Sequence, residues 1–211
     1  MFIPLVELLR CVNPHEETWL VASIERSAER DILTGTLGCP ICRAEYPIRD
    51  GVVFFDQSTP VPASAAAPSE ADAVRAAAAL DLTDARMTAL LHGGWGVHAP
   101  MIRGLTPAQL LLINPPPGIT SGDGISIVRS AAIAPVARGS MAGVAIDDNA
   151  PVSMVESLVS SVRSGGRLMG SVRLPLPPGL AELARDADVW VAQRDASAVP
   201  SAPITLTRRS R

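Results

Sequence analysis

Uninterrupted apolar runs alternate with amphipathic segments over residues 71–196. Such runs predict buried strands, and the segments between them have the spacing of helices. Strands that are apolar throughout are typical of a parallel sheet with helices on both faces, so we predict a doubly wound, mostly parallel sheet. The predicted strands are MTALLHGG (87–94), QLLLIN (109–114), GISIVRS (124–130), MAGVAID (141–147), RLMGSVRL (167–174) and DVWVAQR (188–194), and the predicted helices cover 71–82, 98–105, 151–166 and 179–187.

The first 58 residues have a different pattern and predict a small, strand-rich module. TWLVASI (18–24) alternates like a half-buried strand, and residues 27–37 are polar with an expected turn at Gly35. Apolar residues on both sides of Asp50-Gly51 predict a tight hairpin. A segment rich in Pro, Ala and Ser predicts a linker at 59–70, and residues 197–211 predict a flexible tail.

Composition narrows the function classes. The chain has 211 residues, of which 47% are hydrophobic, and a net charge of −3. The balance of charge gives no sign of the basic patch that nucleic-acid binders carry. All basic side chains are arginine, so lysine-based chemistry is excluded. We expect no membrane span and no secretory leader, because no apolar run reaches 18 residues and the first residues lack a basic start.

Three cysteines and a histidine have the spacing of a metal site, Cys11-x3-His15-x23-Cys39-x2-Cys42. Four thiolate or imidazole ligands complete the tetrahedral shell of zinc and leave no position for water, so the predicted zinc site is structural. Two alternatives stay open, ordinary buried thiols and a redox Cys-x2-Cys pair. The redox alternative is disfavoured because Pro47 and a turn follow, where such motifs usually open a helix. Reduced, metal-bound cysteines predict a cytoplasmic location.

The same segment resembles a known family. Leu-Leu-Arg-Cys (8–11), Gly-x-Leu-x-Cys-Pro-x-Cys (35–42) and Tyr-Pro-Ile-x-Asp-Gly (46–51) resemble the zinc-binding tRNA methyltransferase activators. The resemblance implies a zinc-ribbon-like module with Cys11, Cys39 and Cys42 as ligands, and His15 stands where a fourth cysteine is commoner. Because those proteins are partner subunits, the resemblance also implies a protein partner or self-association.

Residues 71–196 resemble the Rossmann-like domain of class I methyltransferases that use S-adenosylmethionine. The resemblance rests on Gly93-Gly94-Trp95-Gly96 after the first strand, Asn114 after the second, and Ser164-Gly165-Gly166 before a later strand. It implies S-adenosylmethionine as cofactor. The departures count against binding, because Leu91 and His92 replace the first acidic residue, Asn114 replaces the second, and Trp95 adds bulk to the glycine turn.

Other candidates for chemistry have simpler interpretations. Asp147-Asp148 could be a carboxylate pair, but such pairs are more often solvated turns or caps. His92 and His98 could line a cleft, or could be polar residues at a strand end and a helix start. We therefore assign no catalytic and no cofactor-binding residue. The sequence predicts a non-catalytic, zinc-binding scaffold or interaction protein; the alternative is an active methyltransferase with an atypical glycine turn.

Overall fold

The computed structural model describes residues 1–56 and 67–195. Within those residues the helices are α1 (Ile3–Val6), α2 (Glu70–Ala79), α3 (Ala99–Leu105) and α4 (Val152–Ser161), and a 3-10 helix spans Gly93–His98. The strands are β1 (Val21–Ala28), β2 (Asp31–Gly38), β3 (Glu45–Arg49), β4 (Val52–Phe54), β5 (Thr88–His92), β6 (Gln109–Ile113), β7 (Ile125–Arg129), β8 (Met141–Ile146), β9 (Val162–Ser171), β10 (Leu180–Arg185) and β11 (Val189–Arg194).

All these strands form one sheet in the order β1-β2-β3-β4-β7-β6-β5-β8-β9-β11-β10. The five central strands, β7, β6, β5, β8 and β9, are parallel to one another. Counted along the chain from β5 they run 3-2-1-4-5, which is the doubly wound order. The prediction of a mixed α/β fold with a largely parallel central sheet is confirmed.

The predicted module at 1–58 is built into that sheet. Strands β1 to β4 form an antiparallel meander, and β4 then pairs in parallel with β7. Apolar residues of this meander, among them Leu37 and Ile48, belong to the same buried cluster as Leu111 and Trp190. A zinc-ribbon-like module is therefore not confirmed. The domain boundaries at 58 and 71 stay a prediction. Residues 57–58 of the predicted module, 59–66 of the predicted linker and the predicted tail at 197–211 lie outside the described residues.

The opposite face of the sheet carries a second buried cluster. It is formed by α2, α3 and the other side of the parallel strands, with Leu80, Leu91, Ile102 and Leu112 fully or almost fully buried. Because both faces of β5 and β6 are covered, the strands have no polar face, as the uninterrupted apolar runs predicted.

The hairpin at Asp50-Gly51 is confirmed, and both turn residues have positive φ, 49° and 75°. The turn expected at Gly35 is wrong. Gly35 lies inside β2, where its partner is Ile24 of β1, and the chain turns instead at Glu29, with φ 53°. The side chains of β1 are mostly exposed, whereas its partner β2 buries Ile32 and Leu37.

Residues 179–187 were predicted as a helix and instead contain β10, which pairs antiparallel with β11. Leu, Ala and Glu are good helix formers, but intrinsic propensity amounts to less than about 1 kcal/mol per residue, and strand pairing with β11 overrides it. The helix predicted at 151–166 ends at Ser161, and Gly165 and Gly166 belong to β9. The remaining predicted strands and helices overlap the observed ones. No helix among the described residues is long and apolar enough to cross a bilayer.

Trp190 is the largest fully buried side chain, and it sits opposite Gly170 in the β9–β11 pair. A Cβ added at Gly170 would lie 2.8 Å from Cε2 of the indole ring. The ring cannot move away, because its Nε1 donates a hydrogen bond to Leu174 O at 2.8 Å. The absence of a side chain at Gly170 therefore leaves the space that the Trp190 ring fills.

We expect Gly170→Ala to lower the free energy of unfolding by about 1–3 kcal/mol, since overpacking a core strains its neighbours. Gly104→Ala is the matched control, because Gly104 is exposed in α3 and has nothing within 4 Å of an added Cβ. It should raise the unfolding free energy by about 0.5 kcal/mol, as alanine favours a helix over glycine. Urea unfolding measures both, and equal effects would contradict the packing argument.

Candidate functional site

Four side chains of the N-terminal part converge on one point. The ligand atoms of Cys11, His15, Cys39 and Cys42 all lie within 4.8 Å of one another. Cys39 follows β2 directly, and its turn into β3 is closed by hydrogen bonds from Arg43 N to Cys39 O and from Cys39 N to Ala44 O. Backbone geometry thus positions two of the sulfurs, and the segment after α1 contributes Cys11 and His15.

The distances in this Cys3His cluster suit a tetrahedral zinc ion. Cys11 Sγ lies 3.6 Å from Cys42 Sγ, and Cys39 Sγ lies 3.4 Å from His15 Nε2. Zinc bonds of about 2.3 Å to sulfur and about 2.0 Å to nitrogen imply edges of about 3.8 Å and about 3.5 Å in a tetrahedron. His15 Nδ1 lies 2.7 Å from Glu16 O. Nδ1 can donate that bond only when protonated, which leaves Nε2 as the free ligand atom.

Neighbouring donors act on the sulfurs of the Cys3His cluster. The backbone N–H of Ala44, and next the side-chain amide of Asn13, lower the pKa of Cys42 to about 6. Asn13 Nδ2 lies 3.3 Å from Cys42 Sγ. Burial raises the pKa of Cys11, and the hydrogen bond with Tyr46 Oη at 3.0 Å opposes that rise. Donors that stabilise thiolates are the outer partners that metal-bound cysteines use.

The structure brings together all four residues that the sequence selected, and their zinc binding stays a prediction. Tyr46 and Asn13 had no assigned role beside the cluster. The Tyr-Pro-Ile motif marked Tyr46 but not its contact, because Cys11 is 35 residues away along the chain. Nothing in the local pattern at Asn13 distinguishes it from an ordinary loop residue.

The second candidate site is the edge where β5 and β8 end. In doubly wound sheets ligands bind at this switch point, outside the carboxyl ends of the strands. Here Gly93 and Gly94 open the 3-10 helix, and Gly94 N donates a hydrogen bond of 2.5 Å to Asp147 Oδ2. A Cβ added at either glycine would lie 2.7 Å from the same oxygen. The glycines therefore make room for a carboxylate of the chain itself.

Asp147 is held as an anion in this position. Burial raises the pKa of its carboxyl, but hydrogen bonds from the backbone amides of Asn149 and Gly94 outweigh burial, and the pKa lies below its usual value. Asp148, its exposed neighbour, pairs instead with Arg173 at 3.4 Å. The side-chain amide of Asn149 donates to both aspartates, and of the two only Asp147 bonds to the glycine turn.

Asn114, after β6, is also engaged within the protein. Its Nδ2 donates to Ser130 O at 2.6 Å, and its Oδ1 accepts from Ser130 N at 3.0 Å. These two bonds join the ends of β6 and β7 and use both ends of the amide. Pro115 closes the space further, since a Cβ on Gly96 would lie 2.7 Å from Pro115 Cβ.

The two histidines near the glycine turn have separate environments. His92 is buried, its Nδ1 has no hydrogen-bond partner among the described residues, and burial lowers its pKa. His98 Nδ1 accepts a hydrogen bond from Ser69 N at 3.2 Å, beside the start of α2, and its ring lies 5.8 Å from that of Trp95. Burial also lowers the pKa of His98, and a nearby carboxylate opposes that effect at each histidine, Asp147 at His92 and Asp72 at His98.

An open cleft of about 460 Å³ lies beyond the switch point. Its walls come from α2, the 3-10 helix and the segments after β8 and before β11, and much of its lining is acidic, with Arg75 as a counter-charge. Arg75 lies 3.7 Å from Asp186 and 4.0 Å from Asp188. The sequence had not grouped these residues, because they are far apart along the chain and meet only through the strand order. The acidic lining consists of Asp72, Asp147, Asp148 and Asp188.

No protein-family model matches the sequence, and no curated protein matches it. Among solved structures, the chain is similar to a SAM-dependent methyltransferase from Aquifex aeolicus, with 12% identity and a TM-score of 0.41, over 57% of this chain and 87% of that one. It is also similar to a geranyl diphosphate methyltransferase in complex with SAM, with 14% identity and a TM-score of 0.39, over 48% of each chain. This chain thus spans about half of the second enzyme.

These likenesses are distant and partial, and they carry no argument about activity. Because no family model and no curated protein matches, related sequences give no support to the resemblance to tRNA methyltransferase activators. Function has to be argued from the two sites of this chain.

Proposed function

We propose that this protein is a zinc-binding scaffold or interaction protein whose methyltransferase-like sheet has no methyltransferase activity. One observation carries the proposal: the carboxylate of Asp147 occupies the glycine turn and accepts the hydrogen bond of Gly94 N. A nucleoside cofactor at a switch point depends on close approach to the backbone of such a turn. In this chain the Asp147 carboxylate already lies against the backbone of that turn.

The neighbouring positions support the same conclusion. The methyltransferase resemblance implied acidic residues after the first two strands, and the residues present are His92 and Asn114. Asn114 is uncharged, and both ends of its amide bond to Ser130. A ribose hydroxyl at this position would have to break hydrogen bonds that join β6 to β7. The alternative, an active enzyme with an atypical turn, has no contact in its favour.

The Cys3His cluster supports a structural role for zinc. All four ligand positions come from the protein, and none is left for a water or a substrate. Zinc would tie the segment after α1 to the β2–β3 turn. A chain whose function needs reduced thiolates would work in a reducing compartment, so the proposal includes a cytoplasmic location.

A surface for a partner is available beside the zinc site. β1 is an edge strand, and Trp19 just before it is 68% exposed, with Val21 and Ile24 also exposed. The guanidinium of Arg10 lies 5.5 Å from the centre of the Trp19 ring and holds it in place. Register shifts after Ile24 interrupt the strand, which disfavours strand addition. We therefore propose that a protein partner, or a second copy of this chain, contacts the exposed apolar side chains.

Calorimetric titration of zinc-loaded protein with S-adenosylmethionine should show no saturable binding at millimolar ligand. The reason is that Asp147 already accepts the hydrogen bond of Gly94 N, and both ends of the Asn114 amide already bond to Ser130. Asp147→Ala vacates the Gly94 amide, and Asp148→Ala is the matched control, since Asp148 is the exposed neighbour. Binding gained only in Asp147→Ala would locate the obstruction at that carboxylate, while micromolar binding by the wild type would refute the proposal.

Elemental analysis should find about one zinc per chain, as a single four-ligand site requires. His15→Ala should weaken zinc binding more than about 100-fold, because loss of an outer partner alone costs about 10–100-fold. Glu16→Ala is the matched control, since its exposed side chain lies outside the cluster and only its carbonyl contacts His15. Wild-type protein that is folded and free of zinc after loading would overturn the assignment.

Light scattering coupled to chromatography should show a dimer or a complex with a co-purifying protein. Trp19→Ser should weaken that association, because it removes the largest exposed apolar side chain beside β1. Val152→Ser is the control, since Val152 is 75% exposed at the start of α4, in a different element. A strict monomer without any co-purifying protein would contradict the interaction role.

A further inference from the structure

We propose that the Cys3His cluster is also a peroxide-sensitive switch, in which oxidation joins Cys11 to Cys42 in a disulfide and releases the zinc. The inference rests on the zinc site of the proposed function. It adds which two of the three cysteines react and what the reaction does to the cluster.

Exposure separates the three thiols. Cys42 is exposed, Cys11 is partly exposed, and Cys39 is buried, with only 3% of its surface exposed. Peroxide reaches the most accessible sulfur first, so oxidation begins at Cys42. The side-chain amide of Asn13 lies 3.3 Å from this sulfur.

Geometry selects the second cysteine. Cys11 Sγ lies 3.6 Å from Cys42 Sγ, so a disulfide of about 2.05 Å requires the sulfurs to approach by about 1.6 Å. Both residues lie outside helices and strands, in segments that can absorb a small shift. The disulfide between Cys11 and Cys42 can therefore form without a large rearrangement.

Cys39, the cysteine nearest to Cys42 in the sequence, is a weaker candidate than Cys11 for the disulfide with Cys42. Cys39 Sγ faces His15 Nε2 at 3.4 Å and accepts the backbone N–H of Cys42 at 3.5 Å. Both contacts hold the sulfur in its buried position. The pair that the Cys-x2-Cys motif would suggest is thus not the pair that the structure favours.

The reaction balances with a peroxide as the two-electron oxidant. The Cys42 thiolate attacks hydrogen peroxide, the O–O bond breaks, and a sulfenic acid and a hydroxide form. The Cys11 thiolate then attacks the sulfenic sulfur, the S–S bond forms, and a second hydroxide leaves. Both hydroxides take protons from solvent. Zinc loses two of its four ligands and dissociates, while Cys39 stays a free thiol.

The disulfide would join the same two segments that zinc joined, the segment after α1 and the β2–β3 turn. The link therefore persists, and the histidine is released. His15 lies in a loop that forms one wall of a cleft of about 750 Å³, whose other wall contains Ile133 and Ser157. Oxidation consequently changes the mobility of that wall and leaves the sheet intact.

Zinc-loaded full-length protein treated with hydrogen peroxide tests the switch. A chromogenic chelator should detect about one zinc released per chain, and thiol titration should fall from three free cysteines to one. Trypsin cuts after arginine, so Cys11 lies in peptide 11–26, while Cys39 and Cys42 share peptide 31–43. Mass spectrometry should find these two peptides cross-linked, with fragmentation placing the bond at Cys42. Dithiothreitol with added zinc should restore the metal.

Two variants make the assignment specific. Cys39→Ser keeps both members of the proposed pair, so peroxide should still cross-link peptides 11–26 and 31–43. Cys11→Ser should lose the cross-link. A disulfide internal to peptide 31–43, a cross-link at Cys39, or retained zinc and three intact thiols would each overturn the switch. Failure to load zinc would refute the zinc site instead, and peptide mapping of the metal-free chain would still report the pairing.

Discussion

Three residue pairs between β4 and β7 join the N-terminal meander to the parallel sheet: Val52 with Ile127, Val53 with Val128, and Phe54 with Arg129. Because of this pairing, the meander shares a buried cluster with the central strands. A segment of about 55 residues has too little core to be stable alone, which would have made zinc its main support. With a shared core, zinc at the proposed site would have a more local task, the tie between the segment after α1 and the β2–β3 turn.

That local task fits both proposals for the Cys3His cluster. A metal that supports an entire module cannot be lost without unfolding it. A metal that ties one loop onto a sheet stabilised by other contacts can be exchanged for a disulfide. The Cys3His cluster also lies close to exposed Trp19 and the edge strand β1, the surface proposed for a partner.

The parallel order of the sheet explains the second site as well. β5 and β8 are neighbours, so the turn after one strand meets the residues after the other. In this chain the meeting places the Asp147 carboxylate on the amide of Gly94. The fold retains the crevice of a doubly wound protein, and side chains of the chain itself bond to Gly94 N and to the backbone of Ser130 there. An outward cleft with acidic walls remains, and nothing in its contacts points to methyl transfer.

Local patterns in the sequence were sufficient for the apolar strands, the Asp50-Gly51 hairpin and the selection of all four members of the Cys3His cluster. Each depends on periodicity or on residue spacing within one segment, or on a scarce residue type. Local preference failed at 179–187, where Leu, Ala and Glu suggested a helix and pairing with β11 imposed a strand. It failed again at Gly35, whose lack of a side chain serves close strand pairing and not a turn.

The sequence by itself determined that this protein has a mostly parallel α/β sheet and a set of residues suited to zinc. Only the tertiary structure decided that the meander joins that sheet, that Asp147 occupies the glycine turn, and that Cys11 lies beside Cys42. Those three facts depend on contacts between residues about 30 to 80 positions apart. Periodicity records which face of a segment is buried, but it does not record which distant segment covers that face.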